Sequence, residues 1–595
     1  MLKSFLNKFK IKSTYSVYLY SIVVGILSGL FAILFVFLLT QLEAFIALLH
    51  RYNFNDDLAT NSMHMKHNWA SVLLVITLPA VGGLLTGYIS HKFSSSSAGT
   101  GTDSLIDAFH NKEGKIDAKA PFYKSVATIF TLGSGGSGGK EGPIAYIGAG
   151  IGVIVANLTN AGARARRTLM LAGTAAGLGS VFKAPLGGAL TAAEMVYKED
   201  IESDALIPCF ISSVTAYLIY TQFAGNEHFM SVPGAGLNHY MELVFYILLG
   251  ALCYPYGYLF IQGFNYTKKH LLRIKIHPVL KPALGGLLVG MVSVFFFEVS
   301  GTGSGFLQAI SSGTIPVFMG SGALKIGIAF LIIAFLKIVT TTLTIGTGGS
   351  AGIFGPSLFI GGMLGAGIGT LAQYFLPGYN IHVASYIVVG MGAFYAGVAR
   401  APIAGIVMIC EMTGTYVLLP PLIIVSIFTF ILSKKISIYK SQVENRFQSP
   451  AHFWDMKIDV IDSIKISEHF KEYRNIAVVK KDMNFIELRK LSSEIYASDF
   501  VIKDDHGNYF GMISLRKILL ANEKFDDPST TVETYADNAV PSLNNNSMLS
   551  DALTIIMQHD VDKAPVADGE KLLGYIRSRD IFDSYLDAVD KKHKN

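Results

Sequence analysis

One acidic side chain stands among glycines at the start of an apolar run. Glu141 lies in Gly139–Pro143, which reads GKEGP, and a long apolar stretch follows it. A carboxylate is costly inside a bilayer, so an acid placed there predicts a functional group. An ionised carboxylate can fill the site of an anion, and its protonation empties that site. We therefore predict that Glu141 is a gate and a candidate proton carrier; the alternative is a plain helix cap.

Two glycine segments supply groups that bind an anion. Gly133–Pro143 reads GSGGSGGKEGP and Gly346–Pro356 reads GTGGSAGIFGP, and each precedes an apolar helical pattern. Proline suits the first turn of a helix, whose N-terminus carries unpaired N–H groups and about half a positive charge. Two such termini could hold a dehydrated anion without a buried lysine or arginine that would trap it. The alternative is that the glycines only allow close helix packing.

A nucleotide-binding loop is the competing interpretation of the first segment. Gly133–Gly138 matches GxGxxG after a strand-like run at 126–132, but no acid occurs between Glu141 and Glu194 to bind a ribose. A phosphate loop would need serine or threonine after Lys140, where Glu141 stands. The pattern therefore disfavours both kinds of nucleotide loop.

The sequence repeats itself in two halves. The two glycine segments share seven of eleven positions, and a weaker pair is GTG at 99–101 and 301–303. An Ala-Pro pair is followed by a Glu-Met pair in both halves, with nine residues from Pro185 to Glu194 and from Pro402 to Glu411. We predict repeats at about 16–225 and 240–435. Interrupted hydrophobic segments at matching positions predict a binding site near the bilayer midplane.

The elements that must position these groups are membrane helices. The 595 residues are 51% hydrophobic and 15% charged, with a mean hydropathy of +0.44. A crossing needs about 20 apolar residues, and such runs occur at 15–49, 69–90, 243–264, 282–299 and 326–344. We predict a multi-pass membrane domain at 1–440. Four lysines before the first run predict a cytoplasmic N-terminus, namely Lys3, Lys8, Lys10 and Lys12.

The composition changes after the last lysines of the apolar part. A linker is predicted at 441–460 and a cytoplasmic α/β domain at 461–595, with repeats at about 461–525 and 532–590. Each repeat has a hairpin pattern with Asn, Asp or Gly at the turn, and Gly511 and Gly574 mark equivalent positions. The net charge of +5 gives no sign of a nucleic-acid partner.

These motifs together resemble the CLC family of chloride channels and chloride/proton antiporters. The resemblance rests on GTGTD at 99–103, GKEGP at 139–143, FKAPLGGAL at 182–190 and GIFGP at 352–356, in that order. It implies an all-α membrane domain of two inverted repeats and a homodimer with one pathway per subunit. It also implies chloride transport, with other halides or nitrate as further anions and protons as a further partner. The tail resembles a tandem CBS pair.

The resemblance assigns roles to individual positions. It implies that Glu141 is the gating glutamate, that the N–H groups of Ile353 and Phe354 bind the central anion, and that the hydroxyls of Thr100 and Tyr439 face it. The pathway loops then contain Gly99, Gly101, Gly139, Gly142, Pro143, Gly352, Gly355 and Pro356. No metal ligand and no required cofactor are expected.

Two departures from the family pattern bear on ion choice and proton coupling. The first signature usually reads GSGIP, whereas Thr100 and Asp103 replace its serine and proline; threonine keeps a hydroxyl. Antiporters typically have two adjacent acids where this chain has Glu194-Met195, and methionine cannot carry a proton. Glu194 could be structural, like Glu411, and acids at 199, 200 and 202 could substitute. Transport mode therefore stays open between channel and antiporter.

One position of the tail is a candidate nucleotide contact. In CBS modules an aspartate six residues after the marked glycine often contacts ribose; Asp580 stands there in the second repeat, but Lys517 in the first. An adenosine nucleotide is therefore a candidate ligand of the tail, the alternative being a structural contact.

A CBS-regulated divalent-cation transporter would need several intramembrane carboxylates, and acids within the apolar runs are few. An enzyme would need a convergent nucleophile and base, and none is evident.

Overall fold

The computed structural model describes residues 14–51, 69–230, 232, 234–237, 239–271, 273–313, 322–452, 464–469, 473–520, 530–544 and 546–585. The four N-terminal lysines and residues 453–460 of the predicted linker lie outside this part. The chain divides into two compact units, Met1–Ala451 and His452–Asn595. Residues 441–451 belong to the first unit because they are tied to its helices by hydrogen bonds.

The first unit is built from sixteen α-helices within the described residues. They are α1 Thr14–Arg51, α2 Trp69–Lys92, α3 Thr102–Asn111, α4 Ala120–Gly133, α5 Glu141–Leu158, α6 Ala163–Val181, α7 Pro185–Glu194, α8 Leu206–Ala224, α9 Glu242–His270, α10 Leu280–Ser293, α11 Ser304–Ser311, α12 Ala323–Gly346, α13 Phe354–Phe375, α14 Val383–Ala399, α15 Pro402–Thr413 and α16 Leu419–Leu432. Seven are long and apolar enough to cross a membrane. The predicted all-α membrane domain is confirmed.

Two local predictions differ from the structure. The strand-like run at 126–132 lies inside the helix α4, which removes the remaining support for a nucleotide loop. The apolar run at 282–299 is not one long crossing, because α10 ends at Ser293 and a short helical turn, Phe297–Val299, follows. Two glycines of α10 pack directly on the backbone of α2, which explains the glycine content of this short helix.

The two halves are related by a pseudo-twofold axis. Thr128 Oγ1 lies 2.9 Å from Ser350 Oγ, and Thr341 Oγ1 lies 3.0 Å from Ser137 Oγ. Thr128 and Thr341 are 213 residues apart, as are Ser137 and Ser350. The threonine of each half therefore contacts the serine of the other half. Such a reciprocal contact is the property of an isologous interface. The predicted duplication is confirmed.

The second unit is an α/β module. Strands β1 Val478–Lys480, β2 Asp499–Lys503 and β3 Tyr509–Ser514 form one sheet in that order, β1 parallel and β3 antiparallel to β2. Strands β4 Lys563–Asp568 and β5 Lys571–Arg577 form an antiparallel hairpin. The helices are α17 Ile466–His469, α18 Phe485–Ile495, α19 Leu515–Leu520 and α20 Leu549–Gln558. Both predicted hairpins are present.

Candidate functional site

Three glycine loops meet at the pseudo-twofold axis. Gly139 N donates to Gly352 O at 2.8 Å and Gly352 N donates to Gly139 O at 2.6 Å, so these equivalent residues pair with each other. Gly99 N donates to Gly349 O at 3.1 Å and joins the GTG loop to the same junction. The structure therefore brings the predicted pathway loops together.

The carboxylate of Glu141 lies where the helices of the two halves begin. Glu141 is the first residue of α5 and is 3% exposed, and its Oε2 accepts a hydrogen bond of 3.2 Å from Gly355 N, in the first turn of α13. The first N–H groups of a helix have no partner within the helix and favour a negative charge. The carboxylate thus lies at a place where a negative charge is favoured. At the equivalent place in the second half stands Phe354.

A cavity borders this carboxylate. Its polar lining comes from Lys140, Glu141, Thr302, Ser304 and Gly355, and the remaining lining residues are Phe182, Phe229, Leu307, Leu358, Phe359 and Met391. A mostly apolar wall lowers the local dielectric, and so strengthens the interaction of an anion with the few polar groups present.

Close backbone approach explains why glycine is required next to Glu141. A Cβ atom on Gly142 would lie 2.7 Å from Thr100 O and 2.8 Å from the Cα of Gly352, closer than such atoms can approach. Gly99 and Gly101 adopt φ angles of 72° and 78°, which a residue with a side chain rarely adopts. Thr100 is thereby placed between two residues with left-handed φ angles, with its backbone against Gly142, next to Glu141.

The other predicted anion ligands are buried nearby. Ile353 precedes and Phe354 begins α13, and they are 2% and 5% exposed; Tyr439 is 4% exposed. The backbone N–H of Tyr439 donates to Ser437 Oγ at 3.1 Å. Between Phe354 and Tyr439 lies Tyr395, whose ring contacts the first and whose phenol faces the second.

The aspartate that departs from the family pattern has a structural contact. Asp103, in the first turn of α3, accepts a hydrogen bond of 2.9 Å from Ser441 N through Oδ1. Gln442 follows, and its side-chain amide donates to the carbonyls of Met195, Tyr197 and Ala399. These bonds anchor the segment that carries Tyr439 to the helices of both halves.

Two buried lysines hold the GTG loops. Lys124 Nζ donates to the carbonyls of residues 97–99 at 2.5–3.4 Å, and Lys337 Nζ donates to those of 299–301 at 2.8–3.4 Å. Both side chains are fully buried, and the two lysines are 213 residues apart. An ammonium has three N–H donors. Each lysine thus satisfies three carbonyls of a loop that leaves the regular helix pattern.

The predicted proton-route position holds no titratable group. Met195 is 1% exposed. Glu194 accepts hydrogen bonds from Ile403 N at 3.2 Å and Ala404 N at 2.7 Å, in the first turn of α15. Glu411 accepts the equivalent bonds, at 3.2 and 2.7 Å, from the first turn of α7. Both carboxylates therefore cap a helix of the opposite half.

The three acids beyond Met195 have different surroundings. Glu199 lies 3.4 Å from Arg400 Nη2 in an ion pair, and Asp200 accepts a bond of 2.9 Å from Arg446 N. Glu202 is 3% exposed and accepts a 2.7 Å bond from the hydroxyl of Tyr197. Of these three, Glu202 is the enclosed acid.

In the tail, Asp580 is engaged by two arginines. It accepts bonds from Arg577 N at 3.1 Å and from the Arg577 guanidinium at 2.8 and 3.1 Å, and Arg474 Nε lies 3.4 Å away. Burial acts to raise the pKa of Asp580, but the bonds from Arg577 outweigh it and hold the pKa below its ordinary value. Lys517 of the first repeat donates instead to His559 O.

Sequence reasoning missed several residues of the site. Lys124, Lys337, Gln442 and Tyr395 had no assigned role, and Asp103 was noted only as a departure. The lysines carried a usable signal, since Lys124 precedes the first residue of α5, and Lys337 that of α13, by 17 positions. No sequence signal distinguishes Tyr395 from an ordinary core aromatic.

Among the described residues, no group of three or more His, Cys, Asp or Glu side chains is suited to a metal ion.

Two family models and several known proteins match this chain. A family model described as voltage gated chloride channel matches residues 82–434, and a CBS domain model matches 532–587. A ClcB-like chloride channel protein of Ralstonia nicotianae is 31% identical over 371 residues, covering 61% of this chain and 82% of the relative. An H+/Cl– exchange transporter, ClcA, of Vibrio cholerae is 29% identical over 455 residues, covering 73% and 90%.

Solved structures share the fold. A slow cyanobacterial Cl–/H+ antiporter has a TM-score of 0.61 at 22% identity and covers 71% of this chain and 96% of its own. A eukaryotic CLC transporter has a TM-score of 0.57 at 18% identity, covering 95% and 97%.

Proposed function

The chain belongs to the voltage-gated chloride channel family, and from that premise we propose that it moves chloride across the membrane along the three glycine loops, with Glu141 as the gate. It is an integral, multi-pass membrane protein, and members of this family are transporters, not enzymes. The observation that carries the proposal is the hydrogen bond from Gly355 N to the buried carboxylate of Glu141.

The gate works by competition for one position, the start of α13. The ionised Glu141 side chain accepts from the N-terminus of α13 and so excludes an anion from that position. Protonation removes its charge and weakens this bond, since hydrogen bonds to charged groups are roughly twice as strong as neutral ones. Chloride then takes the N–H groups at Ile353 and Phe354 and the hydroxyls of Thr100 and Tyr439. None of these four donors carries a full charge, so the ion can leave.

The gate is tested by Glu141→Gln. Glutamine resembles the protonated carboxylic acid in shape and charge, so chloride flux into liposomes should lose most of its dependence on pH. Glu242→Gln is a matched control, because Glu242 is also a buried acid at a helix start and lies in α9. Unaltered pH dependence in Glu141→Gln would refute the assignment.

Transport mode depends on whether protons move with chloride. Met195 leaves the internal proton position without an acid, and Glu194 is engaged as a helix cap. Simultaneous measurement of chloride and proton flux decides between the two modes. Protons driven uphill by a chloride gradient identify an antiporter whose proton route bypasses Met195. Chloride flux without protons identifies a channel.

We also propose a homodimer, with the N-terminus and the tail in the cytoplasm. Chemical crosslinking of the protein in membranes should give a dimer. A protease added outside sealed cells should leave an epitope at either end intact. The family and the CBS domain support this arrangement.

For the tail we propose an adenosine nucleotide as ligand, with Asp580 at the ribose. The CBS match at 532–587 supports the proposal, and the guanidinium groups of Arg474 and Arg577 beside Asp580 are suited to phosphate. ATP titrated into the full-length protein should bind, and Asp580→Asn should weaken binding. Equal affinity in both proteins would contradict this site.

A further inference from the structure

A buried phenol beside the anion pathway has no hydrogen-bond partner among the described residues. Tyr395 lies on α14 and is 1% exposed, and its hydroxyl oxygen is enclosed by protein. A buried hydroxyl without a partner is unfavourable, so each such group needs a reason.

The location of this hydroxyl supplies the reason. The Tyr395 ring meets that of Phe354 edge-on, with centroids 4.4 Å apart and an interplanar angle of 65°. Its hydroxyl lies close enough to that of Tyr439 for the two to interact, but the pair does not have the distance and angles of a hydrogen bond. Phe354 and Tyr439 are both proposed ligands of the central anion. The unpartnered hydroxyl therefore lies beside one proposed ligand, Tyr439, and its ring contacts another, Phe354.

Packing alone does not require a hydroxyl at this position. Counted from the Ala-Pro pair of each half, the equivalent residue of the first half is Leu178, which is 3% exposed. The same place in the repeat is thus filled by an aliphatic side chain on one side of the pseudo-twofold axis and by a phenol on the other. The oxygen is the part of Tyr395 that packing leaves unexplained.

We propose that Tyr395 is a further ligand of the central anion, donating its O–H to chloride beside Tyr439. The inference rests on the proposed function, because it assumes that chloride binds at Phe354. A neutral O–H binds an anion without trapping it. Because a small, charge-dense anion gains most from an added donor, Tyr395 should favour chloride over iodide or thiocyanate.

The experiment is calorimetric titration of chloride into the purified full-length protein. Tyr395→Phe removes one oxygen and should weaken chloride binding about tenfold or more, while iodide binding changes less. Tyr386→Phe is the matched control: it lies on the same helix, is fully buried, has a hydroxyl likewise without a partner in the described part, and stacks on Tyr246. It should bind chloride with wild-type affinity.

Each result has a distinct meaning. Wild-type chloride affinity in Tyr395→Phe overturns the inference and leaves the proposed function standing. Equal weakening in both variants also overturns it, because a general loosening of α14 then explains the loss. Absence of chloride binding by the wild-type protein overturns the proposed function as well. If Tyr395→Phe does not fold, Tyr395→Leu, which introduces the residue type of the first half, takes its place.

Discussion

Glutamine substitution of the two helix-capping glutamates tests whether Glu194 is a structural group. Glu194 and Glu411 each accept two backbone N–H bonds at 3.2 and 2.7 Å from the other half. Glutamine keeps one acceptor oxygen but turns an amide N–H₂ toward the second backbone donor. Loss of one charge-assisted bond and burial of an unpaired N–H together cost about 3 kcal/mol. The bond lengths are the same at the two sites, but Glu194 is buried and Glu411 is half-buried, so Glu194→Gln should destabilise at least as much as Glu411→Gln.

The assay is denaturant unfolding of each variant in detergent micelles, followed by chloride and proton flux in liposomes. A structural Glu194 predicts a lower free energy of unfolding in both variants and a ratio of chloride to proton flux that neither variant changes. If Glu194→Gln kept wild-type stability while Glu411→Gln lost it, the capping argument would be refuted. A flux ratio altered only in Glu194→Gln would show instead that Glu194 handles protons.

Three further predictions follow from buried contacts. Lys124→Met should leave three loop carbonyls without a donor and sharply lower the yield of monodisperse protein in gel filtration; a normal yield would contradict the loop-holding role. Thr128→Val and Thr341→Val should each lower the unfolding free energy, Thr128→Val by about 1 kcal/mol, the net value of one hydrogen bond, and Thr341→Val by less because Ser137 Oγ keeps its bond from Thr340; an unchanged value in Thr128→Val would argue against the pairing. Since the pKa of Asp580 is lowered in the folded state, its stabilising effect is present above the unfolded pKa of about 3.9 and is lost as pH falls through the folded value. Hydrogen exchange of β5 in the full-length protein should show this loss at low pH, whereas Asp580→Asn should be less protected at neutral pH and lack the transition.

Local patterns in the sequence predicted four of the long crossings and the loops of the site. Apolar runs of bilayer length predict the crossings because the bilayer sets their length. The repeated glycine segments predict the duplication because both copies still share their backbone requirements. Glu141 could be selected as a candidate because an acid beside an apolar run is costly, which predicts a functional group.

The contacts that complete the site depend on the tertiary fold. Nothing local to Glu194 indicates that its carboxylate reaches a helix more than 200 residues away, beyond the parallel with Glu411. From the sequence, Tyr395 cannot be distinguished from an ordinary core aromatic. The apolar pattern shows which side chains are buried, but it does not show whether a buried hydroxyl has a hydrogen-bond partner. The end of α10 at Ser293 was missed because a hydrophobicity pattern does not show where a helix stops inside an apolar run.

The paired glycines at the axis bear on how such a chain could have arisen. Gly139 and Gly352 exchange two hydrogen bonds, as two copies of a single half-length protein would do around a true twofold axis. In such an ancestor the position of Glu141 and that of Phe354 would have held the same residue, so two acids or two aromatic rings would have met at the junction. Joining the copies into one gene allowed one side to become acidic while the other stayed aromatic. The single carboxylate of the proposed gate is thus possible only because the two halves are joined in one chain and can differ in sequence.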